Sequence, residues 1–175
     1  LAAAAAAAEA AALTRLVVIV ERLQLTDTNP RSLGCRRVQI EVDLMGLLRP
    51  APRADPLLLS GLKAGDGELP LHFEAGVDLD AGSKAREAVG DALETAAPED
   101  SDVFVVLHGL GGEAGELGMG SFNLEEVLAS GTELESKWIE LRKDYDPDEG
   151  EEGGVQPSIG RVQVSTRVVR ALAAL

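Results

Sequence analysis

The stretch Arg37-Val38-Gln39-Ile40-Glu41-Val42-Asp43-Leu44 alternates without a break between polar and apolar residues. Side chains on an extended chain point in turn to opposite faces. Val38, Ile40, Val42 and Leu44 therefore share one face, and Arg37, Gln39, Glu41 and Asp43 the other. One apolar face and one polar face predict a strand of an antiparallel sheet, with a core on one side and water or a partner on the other.

The same period recurs on both sides of this strand. Upstream, residues 15–25 predict a strand with Val17, Ile19, Leu23 and Leu25 on one face and Leu16, Val18 and Val20 on the other. Such a strand is buried on both sides at its start and half exposed later. Thr26-Asp27-Thr28-Asn29-Pro30 then turns the chain. Downstream, Pro50, Pro52 and Pro56 make a loop, residues 57–62 offer a short strand, and Gly65-Asp66-Gly67 turns again. Leu69, Leu71, Phe73, Ala75, Val77 and Leu79 alternate with His72, Glu74, Asp78 and Asp80, which predicts another half-buried strand.

Between residues 83 and 95 the period changes. Ala85, Ala88, Val89, Ala92 and Leu93 recur at helical spacing and predict a short helix. Residues 103–107 are apolar without alternation, as in a central strand. Asn123-x-x-Glu126 resembles a capping box, and the turn it opens ends at Gly131. Residues 138–141 and 160–168 supply the last strands, the second with Val162, Val164, Thr166 and Val168 in alternation. Seven or eight short strands separated by turns predict an all-β, antiparallel β-sandwich with one or two short helices. Residues 1–13 are nearly all alanine, so a helix or linker is expected ahead of a single domain over residues 14–175.

Composition narrows the function. The 175 residues carry a formal net charge of −14 and only 3% aromatics, so Leu, Val, Ile and Ala must fill the core. Such a charge repels phosphate backbones and anionic lipid. The densest basic cluster, Arg31, Arg36 and Arg37, is followed at once by Glu41 and Asp43. Cys35 is the only cysteine, which excludes an internal disulfide and a Cys-x-x-Cys metal or redox pair. A reducing, cytoplasmic compartment is the expectation. The Ala-rich start contains Glu9, lacks basic residues ahead of it and begins without Met, so the chain reads as an excerpt of a longer one. No run is long enough to span a bilayer as a helix.

The order of elements in the second half resembles that of a C2 domain. An apolar strand, a loop, a Gly-containing strand over residues 117–122, a Leu-Glu-Glu-Val-Leu turn, a strand with Trp138 and a final Ile-Gly-Arg-Val-Gln-Val strand follow one another. Leu128-Ala129-Ser130-Gly131 and Ile159-Gly160-Arg161-Val162-Gln163-Val164-Ser165 are more specific. They resemble the C-terminal domain of the retinitis pigmentosa GTPase regulator-interacting protein family, over residues 16–45 and 102–172. That resemblance implies an eight-stranded C2-type sandwich in a ciliary scaffold of the basal body and transition zone. Its partners would be ciliary or microtubule-associated proteins, and its place the cytoskeleton, cilium, basal body or axoneme. The alternatives are a structural C2-like module in a large axonemal assembly and a peripheral membrane-binding C2 domain.

No chemical site emerges from the residues. A calcium-binding C2 domain gathers carboxylates on two loops, because Ca²⁺ takes six to eight oxygen ligands. Here residues 26–35 offer only Asp27, and residues 108–117 offer Glu113 and Glu116, with His108 and Leu110 where the pattern wants aspartates. Asp144, Asp146 and Asp148 have the spacing of a calcium loop, but Gly150 comes too late and no Glu closes it. The acidic run 144–152 reads as a solvated loop. Gly109-x-Gly111-Gly112 and Gly118-x-Gly120 give neither a dinucleotide fingerprint nor a P-loop. Met119-Gly120-Ser121-Phe122-Asn123 is no nucleophile elbow. His72 and His108 stand alone and read as surface or packing residues, and Trp138 as a core anchor. No enzyme, cofactor, metal, nucleic acid or small-molecule substrate is expected. Protein partners remain, met on the polar face of residues 37–44 or on edge strands.

Overall fold

In the computed structural model, Val38, Ile40, Val42 and Leu44 are each 1% exposed or less, so the alternation of the second strand becomes the wall of a core. The structure describes residues 1–12, 14–61, 68–143 and 157–175. Eight strands form one antiparallel sheet that curls on itself. In chain order they are β1 (Arg15–Leu25), β2 (Arg37–Leu44), β3 (Leu57–Leu58), β4 (Glu68–Asp78), β5 (Asp102–Leu110), β6 (Glu116–Asn123), β7 (Lys137–Arg142) and β8 (Ser158–Arg167). Their spatial order is β3-β2-β5-β6-β7-β8-β1-β4.

The curl makes two layers. β6 and β7 are joined by a single residue pair, Met119 with Arg142, whereas their other partners are paired over most of their length. Glycines make this corner possible. A Cβ on Gly120 would strike the Glu140 carbonyl oxygen, and one on Gly118 would strike the side chain of Ile159. The glycine-rich run is therefore a hairpin with a close-approach surface: Gly109, Gly118 and Gly120 lie in strands, and only residues 111–115 form the turn. Between the layers lie Val103, Val105, Leu107 and Phe122 from one side, and Ala75, Val77, Ile139, Leu141, Val162 and Val164 from the other.

β1 departs from its expected faces. Leu16, Val18 and Val20 point into the core, and so do Leu23 and Leu25, while Val17 and Ile19 are only half-buried on the outer face. The pairing slips between Val20 and Arg22 on both sides of β1. Glu21 is the extra residue against β8, and such a bulge swaps the inward set from even to odd positions.

Trp138 also differs from expectation. Ile139 and Leu141 face the core, so Trp138 faces outward and is half-buried, with the Arg161 guanidinium 4.2 Å from its ring centre.

Among the described residues there are five α-helices: α1 (Ala2–Ala12), α2 (Pro30–Leu33), α3 (Lys84–Glu94), α4 (Leu124–Ser130) and α5 (Val169–Ala173). Strand polarity gathers α1, α3, α4 and α5 at one end of the sandwich. The loops at residues 26–36 and 111–115 lie at the other, since β2 and β5 pair Arg37 with Leu110. Of the short strand expected over residues 57–62, residues 57–61 give the two-residue β3 and a 3-10 turn, Leu59–Gly61, and residue 62 lies outside the described residues. The expected turn at residues 65–67 and the acidic run 144–152 lie outside the described residues.

Candidate functional site

The loop end is where a C2-type cation site would be built, and its chemistry is local. Asp27 Oδ1 accepts from the Asn29 amide at 2.8 Å, and Asn29 Oδ1 accepts from the Arg31 amide at 3.0 Å, which caps α2. α2 stops at Gly34, whose φ of 67° is the left-handed region that suits glycine. The Gly34 carbonyl then accepts from the Ala114 amide at 3.1 Å and ties this loop to residues 111–115. Cys35, 2% exposed, fills the space between them against Gly109 and Ala114, and burial pushes its thiol pKa up.

Side chains of Asp27, Glu113 and Glu116 are exposed and are not brought together: no group of three or more His, Cys, Asp or Glu suited to a metal occurs among the described residues. The carboxylates of these two described loops alone do not supply the six to eight oxygens that Ca²⁺ demands.

At the opposite end the structure shows two carboxylate clamps. Glu21, thrown outward by its bulge, accepts from the hydroxyls of Ser165 and, at 2.9 Å, Ser136. Ser165 is 1% exposed, and its oxygen also accepts from the Ser136 amide at 2.9 Å. Donation from Ser165 is the main reason the Glu21 carboxyl lies below its ordinary value, against burial, which opposes it. One position further along β8, Thr166 Oγ1 donates to Glu133 at 2.7 Å, and the same carboxylate accepts from the amides of Val168 and Val169, both at 2.8 Å. The Leu134 amide donates to Thr166 Oγ1 at 2.9 Å. The crossover between α4 and β7 is thus pinned to the end of β8, and the free amides where α5 begins have an acceptor. Sequence reasoning missed both clamps. Their signal was the adjacent hydroxyls Ser165 and Thr166, which break the alternation that Val162 and Val164 set up in β8.

Surfaces expected to meet partners are partly occupied. On the polar face of β2, Gln39 donates to the Ala54 carbonyl at 2.8 Å, Asp43 accepts from the Gly46 amide at 2.7 Å, and Glu41 pairs with Arg53 at 2.7 Å. His108 Nε2 lies 3.4 Å from the same Glu41 oxygen without hydrogen-bond geometry, an ion pair only when the imidazole is protonated. Residues 52–54 cover the free side of β2, through Val42 N to Pro52 O and Ala54 N to Ile40 O. The β4 edge is blunted in another way. Pro70 has no amide to offer, and exposed His72 sits at φ 49° where the strand bulges.

This architecture has counterparts among solved structures. The C2A domain of plant extended synaptotagmin 1 superposes with a TM-score of 0.52 at 14% identity, over 88% of this chain and 92% of that one. The chain has the fold of a C2 domain. A C2 domain-containing protein from a putative elicitor-responsive gene gives 0.50 at 10% identity, over 87% of this chain and 85% of that one. CC2D1B gives 0.50 at 15% identity over 92% of this chain, which spans 58% of the CC2D1B chain. No family model matches the sequence, and no curated protein matches it. At these identities the C2 likeness is one of fold.

Proposed function

We propose that this C2 domain is a calcium-independent protein-docking module of a ciliary scaffold at the basal body or transition zone. One observation carries the calcium-independent half. Where a cation would need converging carboxylates, the two described loops meet through Gly34, Cys35, Gly109 and Ala114. Asp27, the one aspartate there, is engaged by its own turn. The docking half is supported by the sandwich fold, which can meet a partner through its strand edges, loop ends and faces. The ciliary half is supported by the resemblance of residues 128–131 and 159–165 to the interacting-protein family named above.

The test has two arms. Melting temperature in millimolar calcium should match that in chelator, and liposomes containing phosphatidylserine should not sediment the domain with or without calcium. Calcium-dependent sedimentation would favour the membrane-binding alternative. In the second arm, the domain should capture basal-body or transition-zone proteins from ciliated cells. Recovery of axonemal structural proteins alone would favour the axonemal alternative.

A further inference from the structure

The helical end holds a groove of about 490 Å³ between α3 and the turn that follows β8. Its floor is apolar: Leu93 is half-buried, Leu172 is 3% exposed, and Leu175 stands at the rim at 41%. Arg86 fixes the walls by donating to the Ala174 carbonyl at 2.8 Å and the Leu79 carbonyl at 3.3 Å.

Gly90 lies in the middle of α3, where glycine weakens a helix. Here it serves neither the backbone nor the packing of this chain: its φ is not in the left-handed region, and a Cβ there would meet nothing within 4 Å. The missing side chain leaves the groove open over its apolar floor. Glu87, Asp91 and Glu94 recur at helical spacing along the same lining, all exposed, and none forms an ion pair with a described residue. Arg86 is the only basic residue in that lining. An apolar floor under an unpaired acidic rim is complementary to one kind of guest.

We propose that this groove docks a basic amphipathic helix from a partner protein, its apolar anchors over Gly90 and its Lys or Arg side chains on the acidic rim. The proposal rests on the docking reading above and adds the partner's chemistry and its seat.

The probe is a fluorescein-labelled helical peptide with Leu on one face and Lys on the other, titrated by anisotropy against the full chain. Its counterpart with Glu for Lys is the control. The Lys peptide should bind saturably and the Glu peptide should not. Gly90→Gln fills the groove without changing charge, and it should weaken binding by roughly tenfold or more, as loss of an anchor pocket does. Glu87→Lys with Asp91→Lys should weaken it comparably, whereas Glu74→Lys on the far face of β4 should leave it within about twofold. Circular dichroism should show Gly90→Gln folded, because glutamine is the better helix former. Absence of Lys-peptide binding would overturn the groove, as would full affinity in Gly90→Gln or equal losses in Glu74→Lys and the rim variant. Those results leave the docking reading to its own pull-down. An empty pull-down beside groove-specific peptide binding would instead count against the ciliary partner alone.

Discussion

Glu21 shows how much one misaligned residue can carry. The bulge that reverses the faces of β1 also points this carboxylate at Ser165 and Ser136, so a change of frame becomes a polar contact with the crossover before β7. Because its folded pKa lies below the ordinary 4.5, ionised Glu21 stabilises the fold above that value. The contribution fades as pH falls through the depressed folded value. Glu21→Gln should therefore be less stable than the wild type at neutral pH. The gap should close as urea denaturation is repeated below pH 4.5, and a gap constant with pH would refute the role. The periodicity of residues 15–25 could not reveal this bulge. Leu16 to Val20 is apolar on both faces, so a slip of frame leaves no mark in the pattern. Arg37–Leu44 had no such ambiguity, because a strictly alternating segment tolerates only one orientation.

Helices are where stability and docking pull apart. Gly90→Ala should raise stability by about 0.5–1 kcal/mol, since it removes backbone freedom from the unfolded chain and meets no atom in the fold. A midpoint shift in guanidinium without a change in slope would show it. At α4 the sequence motif was legible because a cap is local. Asn123 accepts from the Glu126 amide at 3.1 Å, and Gly131 ends the helix at φ 67°. What the motif could not announce is the other side of the Asn123 amide, which donates to the Pro98 carbonyl at 2.7 Å and to Asp102 at 2.8 Å. Asn123→Ala should therefore cost about 2 kcal/mol, at the upper end of cap losses. Asn123→Ser, which keeps the acceptor alone, should recover part of that in the same denaturation assay. The Glu133 clamp escaped sequence reading for the opposite reason: its partners, Thr166, Val168 and Val169, are more than thirty residues away. Trp138 was misread because tryptophan suggests a core, whereas its register with Ile139 and Leu141 places it outside.

For the whole molecule, the glycine corner between β6 and β7 decides whether eight strands make a flat sheet or a sandwich. Gly120→Val would drive a branched side chain into the Glu140 backbone and the Ile139 side chain. A loss of about 1–3 kcal/mol or more is expected, because backbone cannot step aside as a flexible side chain does. Calorimetry of that variant against Gly115→Val, whose site is open, checks it. Fold class was readable from the strand pattern. The loop end was readable only as a shortage of carboxylates, and the groove at the helical end was not readable at all, since α3 and the segment after β8 meet only in three dimensions.

β1 and β8 lie side by side and antiparallel, with Val17 opposite Arg167, so the segments flanking them leave from the same end. Tension applied through those two segments would load the ladder one rung at a time, as a zipper is opened, instead of shearing all rungs together. The domain should yield at low force in an optical trap pulled from residues 1 and 175. Pulled from residue 1 and a cysteine placed at the loop end, it should hold longer. Anchored by its two flanks within a longer chain, such a module would act as a mechanical fuse.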